Sequence, residues 1–154
     1  MKNYVAVVYI LTLLTGCAAS GPLFEGVVPP DKGMTTLYVY RPNNIKLGGS
    51  YPMTIIDGKE MGYLKNGGYI RADLDPGKHK IQLRKSFNWS TTLTTDLDME
   101  RNKIYYLKLL VDVDGSIGSD HAGKAVVSHK YYRAIAFVKE AQAIKELPET
   151  RAIQ

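Results

Sequence analysis

The chain has 154 residues, of which 45% are hydrophobic and 23% are charged. This is the composition of an ordinary globular protein, and the length suits one modest domain, so full disorder is excluded. The formal net charge is +5, but the basic residues form no run. A nucleic-acid-binding surface needs a clustered basic stripe, so we expect no nucleic-acid partner. Tyrosine is abundant, with 11 residues against 3 Phe and 1 Trp, and this residue favours half-buried strands.

The N-terminal segment has the features of a secretory signal peptide. Lys2 supplies a positive charge, and the run from Tyr4 to Leu14 is apolar except for Thr12. As a helix this run would be about 16 Å long, roughly half the thickness of a bilayer core. The length therefore predicts a cleaved signal and not a membrane-spanning anchor.

A motif that resembles the lipobox of bacterial lipoproteins ends this segment. Its residues are Leu14, Thr15, Gly16 and Cys17, and Cys17 is the only cysteine in the chain. Small residues suit a peptidase that cuts directly before the cysteine, and a thiolate is a good nucleophile near neutral pH. We therefore predict removal of the signal peptide, residues 1–16, and lipidation of Cys17. The alternative is an ordinary signal peptide with a chance cysteine.

The resemblance to bacterial lipoproteins also implies a location. In such proteins the thiol carries a diacylglycerol and the freed amine carries a further acyl chain, such as palmitate. Each buried methylene contributes about 0.8 kcal/mol, so two or three chains hold a protein on the membrane permanently. Ala18 follows the cysteine, and in enterobacterial lipoproteins a residue other than Asp there implies sorting to the outer membrane. We expect an envelope protein that faces the periplasm and contacts the membrane through its acyl chains.

Residues 17–33 are predicted to form a lipidated tether. Small residues, Gly and Pro dominate this segment, and a flexible coil of this length spans about 20–25 Å on average. Its apolar residues leave two alternatives open, which are docking on the domain and insertion into the lipid interface. These residues are Leu23, Phe24, Val27 and Val28.

Short strands separated by Gly and Pro turns are predicted for the exported domain, residues 34–147. Strand propensity is high at 36–41, 52–56, 59–64 and 69–74. Asp57 and Gly58 form a strong hairpin signal between the second and third of these strands. Pro76 and Gly77 have the order typical of a type II turn.

The clearest pattern is a period-two alternation over residues 80–99. Even positions are polar, and most odd positions are apolar, including Phe87 and Trp89. This pattern predicts strands with one buried face and one solvated face, as in an antiparallel sheet. Because the run exceeds a typical strand, we place a break near residues 86–90.

The C-terminal part contributes further strands and one helix. The most apolar strand is predicted at 104–113, followed by a loop at 114–123 and a strand within 125–138. A short amphipathic helix is predicted at 139–147 and a tail at 148–154. Together these elements predict an all-β fold, an antiparallel β-sandwich with a short C-terminal helix.

The turn motifs resemble two known groups of proteins. Asp57-Gly58 and the stretch Pro76 to His79 are similar to PEGA-type surface domains, which implies a PEGA-like or Ig-like sandwich. The opening strand that ends at Pro42, together with Asn66 to Tyr69, resembles an uncharacterised family of small bacterial lipoproteins over residues 36–147. That family is known as a domain of unknown function. The resemblance therefore implies a fold and carries over no catalytic residue.

An acidic stretch matches no complete metal-binding motif but leaves a cation site open. Asp112 and Asp114 are followed by Gly115, with Asp120 nearby. An EF-hand loop requires Gly at position 6, whereas here Gly stands at position 4. We expect a plain turn after the strand and no metal ligand, although the sequence does not decide whether this loop binds a cation.

Catalytic chemistry finds little support in the sequence. His79, His121 and His129 are the only histidines, and their spacing does not match helical metal-ligand pairs. We expect a structural position for His79 at the head of a strand. The chain contains no Gly-x-Ser-x-Gly elbow. We therefore expect no catalytic residue and no cofactor, unless the fold gathers Asp120 with His121 and His129.

The tyrosine excess suggests a ligand platform as a further hypothesis. Tyr51, Tyr63 and Tyr69 are candidate sugar-binding rings, and Trp89 is expected in the core because it continues the inward parity. We expect a non-catalytic binding or scaffolding module for another envelope component. The alternative is a glycan- or peptidoglycan-binding module, and a hydrolase is a third and weaker hypothesis.

Overall fold

Two β-sheets carry the fold of this protein. The computed structural model describes residues 18–44, 49–119 and 125–153, and the side chains of residues 113–131 lie outside this description. Within these residues the strands are β1 Thr35–Arg41, β2 Met53–Ile56, β3 Lys59–Tyr63, β4 Gly68–Leu74, β5 Gly77–Arg84, β6 Leu93–Met99, β7 Ile104–Ser119, β8 Ala125–Phe137 and β9 Arg151–Ala152. A helix, α1 Glu140–Glu146, and a 3-10 turn, Leu147–Glu149, precede β9.

The strand order confirms the predicted all-β sandwich with a short C-terminal helix. The first sheet has the order β8-β7-β1-β4-β9, and the second has the order β3-β2-β5-β6. Most neighbours are antiparallel, but β1 pairs with β7 and β4 pairs with β9 in parallel. Alternation along a strand reports which face is buried and not the direction of its neighbours, so the sequence did not reveal these two pairings.

The main core lies between the two sheets. It is formed by the inward-facing residues of both sheets, which are Leu37, Val39, Ile56, Leu64, Ile70, Ala72, Ile81, Leu83, Trp89, Met99, Leu107 and Leu109. In β1 and β7 these are the odd-numbered residues, and in β4 they are the even-numbered residues. The period of two in the sequence is therefore the period with which each strand turns side chains into the core.

A second apolar layer covers the outer face of the first sheet. It consists of buried Tyr38, Tyr40, Tyr106, Ala143 and Leu147, with Phe24, Val27, Tyr69, Ile104 and Val138 packed against them. The rings of Tyr38 and Tyr106 stack with their centroids 5.7 Å apart. Helix α1 and the N-terminal segment thus form a third layer of the fold outside the two sheets, and the second apolar layer lies between them and the first sheet. This arrangement explains why so many tyrosines are half-buried or buried.

Glu146 fastens the helix to the sheet. Its carboxylate accepts a hydrogen bond of 2.6 Å from the Tyr40 hydroxyl and another of 2.6 Å from the Lys108 ammonium. Partial burial raises the pKa of Glu146, but the bonds from Lys108 and Tyr40 outweigh it and hold the pKa below its ordinary value. Burial, followed by the bond to Glu146, raises the pKa of Tyr40.

The long alternating stretch breaks where the sequence predicted. Strand β5 ends at Arg84 and β6 begins at Leu93. Trp89 is fully buried, as expected from its parity, but Phe87 is completely exposed. The inward placement of Phe87 was wrong because residues 86–89 form a tight turn, in which strand parity no longer applies. The burial of Trp89 agrees with the prediction, but in this turn it results from packing and not from strand parity.

The predicted turn after residue 113 does not form. Strand β7 continues through Asp114 and Gly115 to Ser119, and β8 pairs with it along this entire length. Pairing with a second strand satisfies the backbone groups of this Gly-containing segment, and this long-range interaction outweighs the local turn preference of the Asp-Gly sequence.

Both ends of the described chain join the domain. The tail predicted at 148–154 contains β9, whose residues pair with Gly68 and Tyr69 of β4. For the segment before β1, docking on the domain was one of two open alternatives, and the described part of this segment does lie against the sheet. Phe24 and Val27 pack in the second apolar layer, whereas Leu23 and Val28 are about half exposed.

Truncating the core should cost far more than truncating the surface of the same strand. Leu107 of β7 is fully buried, whereas Leu110 on the opposite face is 41% exposed. We expect Leu107→Ala to lower the free energy of unfolding by about 2–5 kcal/mol because it leaves a cavity. The matched change Leu110→Ala should cost less than about 1 kcal/mol. Equilibrium unfolding in guanidinium chloride measures both changes in free energy, and equal losses would contradict the placement of Leu107 in the core between the sheets.

Candidate binding surface at one end of the sandwich

The two ends of the sandwich differ in character. We call one the Asn66 end: β1, β3 and β5 finish there, and Asn66 lies in the connection between β3 and β4. We call the other the Asp57 end, where Asp57 and Gly58 join β2 to β3. The Asp57 end has short turns, whereas the Asn66 end carries the longer loops after β1 and β5 and an unusual group of exposed rings.

Three aromatic residues form what we call the aromatic surface at the Asn66 end: Tyr51, Tyr63 and Phe87. The ring centroids of Tyr51 and Tyr63 lie 5.5 Å apart at an interplanar angle of 71°, which is a favourable edge-to-face geometry. Tyr63 is 43% exposed, and Phe87 is wholly exposed at the tip of the turn after β5. Exposed large rings of this kind mark interaction surfaces more often than they serve folding.

Hydrogen bonds make the turn beneath Phe87 rigid. The backbone N–H of Ser86 donates to the Trp89 carbonyl at 2.9 Å, and that of Trp89 donates to the Ser86 carbonyl at 3.2 Å. The Ser86 hydroxyl donates to the carbonyl of Tyr51 at 2.5 Å. Asn88 accepts from the Tyr51 N–H at 3.4 Å and donates to the carbonyl of Gly49. The turn and the loop before β2 are therefore one framework, which fixes the backbone positions of Tyr51 and Phe87 before any partner arrives.

Trp89 anchors this framework in the core. Its ring is fully buried, and the guanidinium carbon of Arg133 lies 4.6 Å from the ring centroid, within cation–π range. The buried Arg41 donates to the Ser50 carbonyl at 2.5 Å. Burial, followed by the positive charge of Arg133, lowers the pKa of Arg41 to about 10. The exposed turn is thus supported by the buried ring of Trp89 and by the guanidinium groups of Arg133 and Arg41.

The N-terminal segment enters the domain at the same end. Ala18 forms a parallel bridge with Asn66, and the Ala19 N–H donates to the Asn66 carbonyl at 3.1 Å. The Asn66 side chain in turn donates to Asn43 at 2.7 Å and accepts from the backbone N–H of Asn44 at 2.9 Å. The connection between β3 and β4 therefore holds both the start of the segment and the loop after β1.

Strand β9 holds the next part of the segment. The Ala152 N–H donates to the Pro22 carbonyl at 2.8 Å, and the Phe24 N–H donates to the Thr150 carbonyl at 3.0 Å. The Arg151 guanidinium donates to the carbonyl of Gly21 at 3.2 Å. Gly21 approaches the backbone of Ala152 so closely that a Cβ would collide with its carbonyl oxygen. Glycine is required at this contact, and the segment is fastened from Ala18 onward.

The three tyrosines proposed as a platform do not lie together. Tyr51 and Tyr63 are neighbours, but Tyr69 belongs to the second apolar layer, where its ring centroid is 5.4 Å from that of Phe24. Trp89 is in the core, as expected. Phe87 was missed because its odd position in the alternating stretch suggested burial, although the predicted break at residues 86–90 was the available signal that strand parity ended there.

His79 has the structural position expected of it, at the Asp57 end. Its Nδ1 lies 2.6 Å from a carboxylate oxygen of Asp57, and its Nε2 lies 2.7 Å from the carbonyl oxygen of Asp75. Both partners accept, so both ring nitrogens donate and the imidazolium form fits best. Asp57 also accepts from the backbone N–H of Lys80 at 2.8 Å. The pair joins two turns and presents no nucleophile.

The pKa values of the pair move in opposite directions. Partial burial lowers the pKa of His79, but the hydrogen bonds to Asp57 and Asp75 outweigh it and raise the pKa above 6.5. Burial raises the pKa of Asp57, but the bonds from His79 and Lys80 outweigh it and lower the pKa below 3.8. Each group therefore stabilises the charged form of the other.

The candidate cation loop is not assembled as a loop. Asp112 lies in β7 opposite Tyr132, and Asp114 follows in the same strand opposite Lys130. Asp120 lies outside the described residues. Among the residues that are described, no group of three or more His, Cys, Asp or Glu side chains is arranged to hold a metal ion.

Several other predicted residues lie where the structure gives no description. His121 and the lipobox residues Leu14, Thr15, Gly16 and Cys17 are outside the described ranges, and the side chain of His129 is outside them as well. No helix in the described part of the chain is long and apolar enough to cross a membrane.

Comparison with known proteins yields one family. The profile of the family described as "Protein of unknown function (DUF2846)" matches residues 31–121, which is more than half of the chain. Neither the curated proteins nor the solved structures contain a match to this chain.

Removing the Asp57 carboxylate should lower the pKa of His79 toward 6.5. We propose Asp57→Asn because Asn tolerates the positive φ of 49° at this position. NMR titration of the imidazole measures the change. Asp96→Asn is the matched control, since Asp96 lines the same groove, and it should leave the pKa nearly unchanged. Equal effects of both variants would contradict the specific pairing.

The pair should also shape the dependence of stability on pH. Its contribution is complete between 3.8 and 6.5, the ordinary pKa values of Asp and His. It falls as pH drops through the lowered pKa of Asp57, and it falls as pH rises through the raised pKa of His79. Because Asp57 is 46% exposed, we expect Asp57→Asn to cost only about 1 kcal/mol in this window.

Proposed function

The chain belongs to the DUF2846 family of proteins of unknown function, and on that premise we propose that it is a lipid-anchored envelope lipoprotein that acts as a non-catalytic binding or scaffolding module. The family assigns no activity, so the proposal rests on the residues. The hairpin turn at Asp57-Gly58 and the connection between the sheets at Pro76-Gly77, which are similar to PEGA-type surface domains, fit a domain displayed at a membrane.

The lipid anchor is supported by the N-terminal motif. Residues 4–14 form an apolar run too short to span a bilayer, and Thr15 and Gly16 precede the lone Cys17. A signal peptidase that cuts before Cys17 leaves a free amine for acylation. With two or three acyl chains the mature protein stays on the membrane, and Ala18 favours the outer membrane with the domain in the periplasm.

One observation carries the scaffolding proposal: strand β8 is a long and partly apolar sheet edge. It has 13 residues and stands last in its sheet, with β7 as its neighbour. Tyr132 is 52% exposed and Phe137 is 47% exposed. Leu110 of β7, on the same outer face as Tyr132, is 41% exposed. Long exposed edges invite pairing with a further strand, so natural proteins protect them unless a partner covers them.

The occupant that fits this edge is an extended segment of another envelope protein. Backbone hydrogen bonds to β8 would supply affinity, and contacts with the exposed side chains of Tyr132 and Leu110 would select side chains of the partner. This mode requires no catalytic group. His79 is engaged by Asp57 and Asp75 at the other end of the domain and takes no part in this mode.

A glycan- or peptidoglycan-binding module is the second candidate. The edge-to-face pair of the partly buried Tyr51 and the exposed Tyr63 favours it, because aromatic rings stack on sugar faces. The separation of Tyr69 from this pair leaves a smaller platform than three rings would provide. A hydrolase stays the weakest of the three hypotheses and would require Asp120, His121 and His129 to gather.

Cys17→Ser should abolish lipidation. Because the serine hydroxyl is a far weaker nucleophile than a thiolate, we expect the variant to lack the mass of acyl chains and to leave the membrane fraction. Intact-protein mass spectrometry and fractionation of cells measure this. A wild-type protein without acyl mass would refute the lipoprotein proposal.

Photo-cross-linking in intact cells tests the partner edge. We expect a photoreactive residue at Tyr132 to give a discrete adduct with an envelope protein, and the same residue at Lys78, an exposed position at the Asp57 end, to give none. Equal patterns at both positions would contradict the scaffolding proposal. A glycan adduct at Tyr63 with none at Tyr132 would favour the second candidate.

A further inference from the structure

Very little chain separates Cys17, the residue proposed for lipidation, from the folded domain. Ala18, the residue after Cys17, is already bridged to Asn66, and Ala19 is bonded to the Asn66 carbonyl and buried. Consecutive Cα atoms are about 3.8 Å apart. The acyl chains on Cys17 would therefore leave the protein directly at the Asn66 end, and not from the far end of a long flexible coil.

The aromatic surface lies close to this exit point. Asn66 is three residues from Tyr63, whose ring contacts that of Tyr51. The backbone of Tyr51 is bonded to Ser86 and Asn88 on either side of Phe87. Adding the bridge from Ala18 to Asn66 and the chain length from Asn66 to Tyr63, the Cα atoms of Ala18 and Tyr63 lie no more than about 17 Å apart. A leaflet that receives the acyl chains thus meets the same end of the sandwich as these rings.

The chemistry of the surface suits a lipid interface. Tyrosine is enriched at the level of lipid headgroups because its ring is apolar and its hydroxyl is wet, and exposed phenylalanine gains by entering the boundary with the acyl chains. The exposed Lys85 beside the turn adds attraction to anionic headgroups. The hydrogen-bonded framework below Phe87 keeps the backbone of this turn at the same end of the domain as Tyr51 and Tyr63.

We propose that the Asn66 end is the membrane-facing surface of the domain, with Phe87 and Tyr63 resting in the headgroup region of the leaflet that holds the acyl chains. This proposal rests on the lipidation proposed above. It fixes the orientation of the domain, so that the Asp57 end with His79 points away from the membrane.

The strand pair β7–β8 also extends at this end of the domain, so it allows a second arrangement of the domain on the membrane. On β7 the register with β1 ends at Lys108, and the pair continues beyond it to Ser119 at the Asn66 end. If the ribbon bends along the leaflet, the aromatic surface reaches the headgroups. If the ribbon stands upright on the leaflet, it holds Phe87 in water, and the proposal is overturned.

Fluorescence quenching of the lipidated full-length mature protein separates these arrangements. Phe87→Cys is safe for folding because the side chain is fully exposed, and its thiol is the only one free, since that of Cys17 is a thioether. The thiol carries an environment-sensitive fluorophore. The protein is inserted into vesicles of phosphatidylethanolamine and phosphatidylglycerol that contain headgroup-labelled nitroxide lipid. Lys78→Cys, an exposed position at the Asp57 end, is the matched control.

We expect several-fold stronger quenching at position 87 than at position 78, with a blue-shifted emission only at 87. Equal quenching at both positions in protein that carries acyl mass would overturn the membrane-facing surface while leaving the lipoprotein proposal intact. Absence of acyl mass would refute the lipoprotein proposal itself, so the two failures are distinct. The label at position 87 is also tested in native envelopes. If neither lipid nitroxide nor aqueous iodide quenches its fluorescence there, a protein or glycan covers the site, and this too would overturn the proposal.

Discussion

Burial of β1 on both of its faces is the constraint on which the rest of the structure depends. All seven residues of this strand are buried. Leu37 and Val39 point into the core between the sheets, whereas Tyr38 and Tyr40 point into the layer formed by α1 and the N-terminal segment. Because β1 supplies residues to both layers, displacement of this one strand would disrupt both layers at once.

The outer layer makes the N-terminal segment and the C-terminus part of the domain. Phe24 packs edge-to-face on Tyr38 and Tyr69, and Glu146 binds both Tyr40 and Lys108. Backbone bonds between the segment and β9 join the two chain ends directly. A lipid on Cys17 would therefore be attached to a folded body with a defined orientation, which a flexible tether does not provide.

The two ends of the sandwich follow different physical principles. At the Asp57 end, an imidazolium bonded to a carboxylate and a carbonyl draws two turns together, so the polar groups there are used for stability. At the Asn66 end, polar groups support an exposed turn and leave aromatic rings uncovered. The fully exposed ring of Phe87 buries no surface in the isolated domain, and for this reason it is the better guide to function. The same reasoning applies to the outer edge of β8, where Tyr132 and Phe137 are open to solvent.

The sequence by itself determined the local features of this protein. The hairpin at Asp57-Gly58, the break in the alternating stretch and the short C-terminal helix all depend on neighbours in the chain, and each was predictable from turn chemistry and period. Within that break, the tight turn at residues 86–89 sets the outward position of Phe87, whereas packing against the rest of the domain buries Trp89. Only the tertiary structure decided the parallel pairing of β1 with β7 and the separation of Tyr69 from Tyr51 and Tyr63. These depend on which strands meet across long stretches of chain, and residue propensity carries no information about that choice. The docking of the segment after Cys17 belongs to the same class, because its partner strand β9 lies at the other end of the sequence.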